Sequence, residues 1–448
     1  MITELRLCVP ADSSWRRDFK QEHIPAAEYL LHTINQRRIG WHADGLGFVN
    51  LKAEYLRRVM GRNALIPVRE ELKNVGAIDY RKHFVPGVSS MQYRLMEPFQ
   101  PSRFVTCRDH GLLRRVRRVY TEEEGRLLPV HRWLKAKLAT FILDVERARS
   151  IVSGMVPDMD SGIDVETYRA LIGDQVTAFA DELASGDVRL TCDEYGRVHT
   201  PLTNMPKSLR CCVASPEGLL TGIDLANSQP LFAGMVAREY ATSSDKARSR
   251  LRQWKPPTKP YGKQSEACKD PGSQQTQQKP PSITMAEKSQ LPLKTTTCDY
   301  RLRGTADLYE YLELCCRGRL YEELKPNDLE RNDFKHFIFR DVFFGADQHP
   351  SALRETFAER FPTVARVLRE LKGNDYRRLA WLMQHQESTL FIGRVCRRIK
   401  AERPSLPLAT VHDSLVTTDE HIGFVTAIAL DEFQKLGVIP LFKYEPYY

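Results

Sequence analysis

The sequence contains no apolar run approaching the roughly eighteen residues that a membrane-spanning helix needs. Its N-terminus lacks the charged-then-apolar pattern of a secretory leader, so no export is expected. Cysteine is thinly spread. Ten residues include adjacent pairs at Cys211-Cys212 and Cys315-Cys316, but there is no CxxC spacing and no Cys/His cluster. That speaks against zinc and against a disulfide framework, and it fits free thiols in a reducing, cytoplasmic setting. An acidic DxE triplet, Asp144-Val145-Glu146, falls within an expected helix and has no companion acidic motifs. A nuclease site is therefore not expected there.

Basic charge, in contrast, is in excess and unevenly placed. The 448 residues carry a net charge of +9, and the chain is long enough for two or three domains. Residues 241–298 hold eleven Lys and Arg against four Asp and Glu, so most of the surplus sits in one segment. Pro, Gln, Ser, Lys and Thr dominate that segment. With so few apolar side chains it cannot bury enough surface to offset its ordering entropy. A disordered basic insertion is expected, attracted to nucleic acid through counterion release.

The chain is organised around residues 219–234, LLTGIDLANSQPLFAG. A short apolar run bounded by turn residues reads as a buried strand, here with Asp224 at its end. Pro230 suits the first turn of a following helix. A second stretch, residues 408–420, reads LATVHDSLVTTDE, a strand, a turn at His412-Asp413-Ser414 and a return strand. Pairing the two in one sheet sets Asp224 beside Asp413. Two carboxylates at that separation repel unless cations bind between them. Two-metal phosphoryl transfer uses this arrangement, and Mg²⁺ suits it because it keeps water and phosphate among its ligands, with Mn²⁺ as an alternative.

A third stretch, residues 327–345, spaces Arg331, Lys335, Phe339 and Phe343 four apart. On a helix this puts two cations and two rings along one face. A core stripe would not begin with Arg and Lys, and a solvated one would not end in two Phe. A surface that grips a triphosphate and stacks a base has this order of groups.

These stretches resemble motifs A, B and C of the family A nucleic-acid polymerases, the group of bacterial DNA polymerase I and the single-subunit RNA polymerases. Asp224 matches the motif A aspartate, and His412-Asp413 matches the HD of motif C. Arg331, Lys335, Phe339 and Phe343 match the fingers pattern R-x3-K-x3-F-x3-Y. Gly196-Arg197 through His199-Thr200 and Asn204-Met205-Pro206 are similar to the GR…NxP stretch along the primer–template minor groove. Departures point to a compact, divergent branch of phage, plasmid or mobile-element type. Gln229 stands where the DNA enzymes have Glu, motif C reads HDS, Phe343 replaces Tyr, and the following Gly is displaced to Gly345.

The resemblance implies an α+β right-hand fold, with an antiparallel palm sheet and helical fingers and thumb. It implies a template-directed DNA polymerase holding two Mg²⁺ on Asp224 and Asp413. Arg331 and Lys335 would take the triphosphate, Lys335 would protonate the leaving group, and Phe339 and Phe343 would pack on the nucleotide. Arg197, Thr200, Asn204, His412 and Gln386 would contact nucleic acid. Gln386 also reads as a half-exposed residue on its helix, and Arg197 and Arg210 also read as surface arginines. Deoxynucleotides are the expected substrates. Discrimination against ribose should be loose, because Gln229 would be free to swing without a Tyr hydroxyl. Partners would be a DNA primer–template duplex, nucleotides and other replication proteins, with no membrane. A single-subunit RNA polymerase or primase-like enzyme, suggested by His412-Asp413-Ser414, and a non-catalytic replication initiator stand as alternatives.

The expected divisions follow. Residues 1–100 form a winged-helix-like module with Arg81, Lys82 and Arg94 on its wing, a module for binding duplex DNA or for docking. No element is assigned to residues 1–38, and residues 46–61 read as one helix. Residues 101–190 form a helical thumb-like region in which Arg114, Arg115, Arg117 and Arg118 would hold duplex phosphates. Palm with motif A spans 191–240, the insertion 241–298, fingers with motif B 299–400, and palm with motif C 401–448.

Overall fold

The computed structural model describes residues 3–17, 19–39, 47–81, 91–100, 102–157, 162–255, 306–346 and 350–448. The structure mixes many helices with small antiparallel sheets. None of the helices among the described residues is long and apolar enough to cross a membrane.

The N-terminal unit comprises β1 (Leu5–Pro10), α1 (Ile24–Ile39), β2 (Val49–Leu51), α2 (Ala53–Met60), α3 (Leu65–Asn74), β3 (Ile78–Arg81), β4 (Met91–Leu95), β5 (Ser102–Cys107) and α4 (His110–Glu124). Three strands form a sheet in the order β2-β4-β3, and β1 pairs with β5. One core joins Leu30 and Ile34 of α1, Leu56, Val68, Leu72, Tyr93, and Leu112, Val116 and Val119 of α4.

Several expectations change here. Residues 1–38 carry a strand and a sixteen-residue helix. The helix escapes a periodicity reading because it buries Glu28, His32, Asn35 and Arg38 among its apolar residues. The polar groups find partners: the backbone N–H of Cys8 donates to His32 Nδ1 at 3.0 Å, and Arg16 pairs with Glu28. The single helix expected over 46–61 is β2 followed by α2, because Val49-Asn50-Leu51 has β4 to pair with. The apolar face of α4, which lies beyond the boundary expected at 100, belongs to this core. Lys82 and the turn around Pro86-Gly87 lie outside the described residues.

Next come α5 (Pro129–Leu138), β6 (Ile142–Leu143), α6 (Val145–Gly154), α7 (Val165–Ser185), β7 (Thr191–Cys192), β8 (Val198–His199), α8 (Pro201–Asn204) and β9 (Val213–Ala214). The basic helix pair expected for a thumb is divided, since α4 packs in the N-terminal core while Trp133 and Leu134 of α5 join the largest core. Asp144 does not sit mid-helix. It is the N-cap of α6 and accepts the Arg147 N–H at 2.9 Å.

The remaining elements are β10 (Leu220–Leu225), α9 (Ser228–Thr242), α10 (Asp245–Gln253), α11 (Ala306–Cys316), α12 (Leu320–Leu324), α13 (Arg331–Ile338), α14 (Ala352–Arg360), α15 (Pro362–Lys372), α16 (Arg377–Leu390), α17 (Arg397–Glu402), β11 (Ala409–Val411), β12 (Ser414–Thr418), α18 (Ile422–Gln434) and β13 (Phe442–Pro446). Their sheet has the order β11-β12-β10-β13, and every neighbouring pair is antiparallel. Strand alternation gives it two apolar faces. Ile223, Leu225, Leu415 and Phe442 join the core formed with α9, α11, α13 to α16 and α18. Leu220, Val411, Val416 and Tyr447 face the core under α6 and α7. The expected insertion begins later than position 241. Residues 245–253 are helical, and Leu251 and Trp254 pack against the large core, with the Trp254 ring 5.0 Å from that of His385. Residues 256–305 lie outside the described residues.

Candidate active site

The central strand β10 carries Asp224 on the face shared with Leu220 and Gly222. Its cross-strand neighbours are Ser414 on β12 and Lys443 on β13. Asp413 directly precedes Ser414, in a two-residue hairpin closed by the Val411–Ser414 pair. The first turn residue, His412, has φ of 54°, an uncommon conformation for a non-glycine residue. This turn brings Asp413 to Asp224. Burial first, then the charges of Asp413 and Glu445, push the Asp224 carboxyl up to about 6, against the opposing pull of Lys335 and Lys207. Glu445 is itself paired with Lys207 at 2.7 Å.

A carboxylate raised by a second carboxylate is relieved by a cation between them. Two neighbouring carboxylates are hard oxygen donors of the kind that Mg²⁺ takes together with phosphate and water, so the residues present fit a divalent cation.

Cations flank this pair on the other side. Desolvation first, then the charges of Arg197, His199 and Arg210 against the opposing charge of Asp413, hold the His412 imidazole below its usual value, although the residue is exposed. His199 pairs with Asp193 at 3.0 Å, and Asp193 also accepts the backbone N–H groups of Tyr195 and Arg197, which shapes the β7–β8 turn.

The third wall is α13 and the turn after it. Phe334 and Ile338 face the core, leaving Lys335 exposed and Arg331 and Phe339 partly so. Arg331 lies 5.3 Å from the Tyr321 ring and is bonded to Glu322 at 2.8 Å. The helix does not continue as an α-helix. Residues 339–343 form a π turn, with the Phe344 N–H donating to the Phe339 carbonyl five residues back at 2.8 Å. Carbonyl groups freed there are taken by other side chains: Lys372 reaches those of Val342 and Gly345 at 2.7 and 3.0 Å, and Arg354 reaches that of Asp341 at 2.8 Å.

That turn corrects the fourfold spacing. Phe343 is fully buried, its ring 6.1 Å from that of Phe357, and it does not face the aspartates. Phe344 is half-buried and stacks on Phe339 at 5.1 Å and 22°. One extra residue in the turn also accounts for the displaced glycine. A Cβ at Gly345 would lie 2.0 Å from the Arg340 carbonyl oxygen, so only glycine fits.

The other residues expected to contact nucleic acid take the following places. Arg115 donates to the Val59 carbonyl at 2.7 Å, and Arg118 pairs with Glu122 and reaches the Arg58 carbonyl. These two arginines tie α4 to α2, and Arg114 and Arg117 lie on the same helix. Thr200 is buried as the N-cap of α8, its hydroxyl accepting the Thr203 N–H at 3.2 Å. Asn204 is exposed at the end of α8, and Gln386 is half-buried on α16.

It is the next residue, Glu387, that reaches the site. Glu387 is buried and pairs with Arg197 at 2.8 Å, while the Gln229 side-chain amide donates to it. Gln229 is therefore not free to swing. Burial first, against Arg197 and with Asp413 adding, pushes the Glu387 carboxyl up to about 7. Its signal was present in the sequence, for Leu379, Met383 and Glu387 are four apart, a carboxylate on an apolar stripe.

Comparison with known proteins adds little to this geometry. No protein-family model and no curated protein matches the chain. Among solved structures the chain is similar to the POL domain of Pol1 from M. smegmatis in complex with DNA primer-template and dNTP. Identity is 13% and the TM-score 0.31, over 68% of this chain and 56% of that one. The chain thus spans little more than half the length of that structure, and a functional reading has to rest on its own residues.

Proposed function

We propose that this protein is a template-directed nucleotidyltransferase, a DNA polymerase that extends a primer 3′ end with deoxynucleotides. The observation that carries the reading is the pairing of β10 with β12, which sets Asp224 against Asp413 beneath an exposed helix bearing Lys335. On this reading the four-stranded sheet is the palm, α11 to α16 the fingers, and Asp224 and Asp413 would hold divalent cations, Mg²⁺ by choice. Those ions supply activation of the attacking hydroxyl and charge neutralisation on the leaving group.

The chain's own residues do the rest. Lys335 neutralises the triphosphate and gives its proton to the departing pyrophosphate. Arg331 joins it by exchanging Glu322 for phosphate, a swap of one anion for another of higher charge. The rings of Phe339 and Phe344 form the surface on which the base packs. Arg197, Arg210 and neutral His412 border the primer end, where Arg197 and Arg210 attract phosphate and the His412 ring offers a hydrogen bond without adding charge. In the N-terminal unit, the order α1-β2-α2-α3-β3-β4 with sheet order β2-β4-β3 supports the winged-helix reading.

Primer extension on DNA and RNA templates, with dNTPs and NTPs supplied separately, tests the reading. Asp224→Asn and Asp413→Asn should each abolish incorporation while primer–template affinity stays within a few-fold, since binding rests mainly on phosphate contacts. Extension by either variant at near wild-type rate would refute the site. A wild type that prefers NTPs would move the protein to the RNA-polymerase or primase reading.

A further inference from the structure

Segments far apart in sequence meet at one carboxylate. Glu387 projects from the apolar face of α16, with 1% of its side chain exposed. Arg197 arrives from the β7–β8 hairpin, its Nη2 2.8 Å from Oε1 and 3.0 Å from Oε2. The first turn of α9 supplies the Gln229 amide and the Ser228 hydroxyl, the latter at 3.5 Å. Asp413 is near enough for its charge to oppose the Glu387 anion.

A carboxylate is an expensive choice for this place, because an apolar side chain would complete the stripe of Leu379 and Met383 without a desolvation cost. Its presence has to be explained by what it holds. The two groups it holds belong to different sides of the site. Arg197 neighbours His412 and the other cations, whereas Gln229 lies five residues beyond Asp224. Each of the two also keeps one polar atom unused. Arg197 Nε and Gln229 Oε1 are buried without hydrogen-bond partners, a condition that a bound ligand would relieve.

We propose that Glu387 is the positioning residue of this site, one carboxylate that aims Arg197 at the nucleic-acid strand and Gln229 at the incoming nucleotide. The inference rests on the nucleotidyltransferase reading above. It makes one carboxylate serve both binding events: Arg197 stays on Glu387 through Nη2 while its unused Nε–H is left for a strand phosphate, and the same carboxylate keeps Gln229 in place on the nucleotide side.

Glu387→Gln separates the two roles. The variant keeps an acceptor for the Gln229 amide and loses the charge that holds Arg197. In this variant the nucleotide KM should stay within about twofold while the primer–template Kd, read by fluorescence anisotropy, rises about tenfold. Glu387→Leu should raise both. Arg197→Ala placed on Glu387→Gln should weaken primer–template binding by less than about threefold further, because the two residues act as a unit. A residue that only braces the fold would lower the melting temperature in Glu387→Gln and move KM and Kd together. That result, or additive effects of Arg197→Ala and Glu387→Gln, overturns the proposal. If Glu387→Leu fails to fold, the Glu387→Gln split and the double-variant comparison still decide. A wild type that neither binds nor extends a primer overturns the underlying reading itself, which is a distinguishable failure.

Discussion

Glu387 also makes stability depend on pH, in a direction opposite to that of an exposed ion pair. Its folded-state value of about 7 lies above the ordinary 4.5, so the folded chain takes up a proton that the unfolded chain releases. The resulting stabilisation is full below about pH 4.5 and is lost as pH rises through about 7. A shift of this size corresponds to about 3 kcal/mol. Urea unfolding of wild type between pH 5 and 8 should therefore show stability falling with pH, and Glu387→Gln should flatten much of that slope. The slope that remains belongs partly to Asp224, raised to about 6. An unchanged slope in the variant would mean that the carboxyl is already ionised across this range. Residue type was legible in the sequence here, but burial was not: Gln386 and Glu387 are adjacent, and only their rotation about α16 decides which of them meets Arg197.

The π turn after α13 is the element that redirects the motif. With a fourfold repeat continued, Phe343 would share a face with Arg331, Lys335 and Phe339. One additional residue turns it inward and delivers Phe344 in its place. The turn persists because Lys372, itself buried, and Arg354 satisfy the carbonyls that the wider hydrogen-bond ring leaves over. Phe343→Ala should then cost about 3–5 kcal/mol in urea unfolding, the range for a fully buried Phe. Phe344→Ala should cost about 1 kcal/mol or less, in keeping with its partial exposure, and raise the nucleotide KM instead. Equal stability losses in the two variants would contradict the assignment of faces. The displaced Gly345 was the trace of this turn in the sequence, readable only once the extra residue is known.

At the scale of the whole chain, the two faces of one sheet join the largest core to the core under α6 and α7, while α4 packs in the N-terminal core. The basic segment enters this body through α10, where Leu251 and Trp254 pack. Replacing residues 256–305 with a Gly/Ser linker of about 15 residues should leave the melting temperature nearly unchanged, because that stretch contributes few apolar side chains. Nucleic-acid binding should weaken mainly at low salt, where screening is least. Trp254→Ala should instead lower the melting temperature, since its ring is packed against His385 and the core. A large loss of folded protein on replacing 256–305 would show that the segment is structural.

Local order determined what the sequence could reveal alone. The β10 strand with Asp224, the hairpin at His412-Asp413 and the helix opened by Arg331 each follow from short-range periodicity and turn chemistry, which need no tertiary information. Tertiary structure decided the rest. It packed the apolar face of α4 in the N-terminal core and tied Arg115 and Arg118 to α2, buried Thr200 and Phe343, tied Gln229 to Glu387, and buried four polar residues of α1. These outcomes depend on which surfaces meet across hundreds of residues. A buried polar group is tolerated only where a distant partner satisfies it, and no local pattern names that partner.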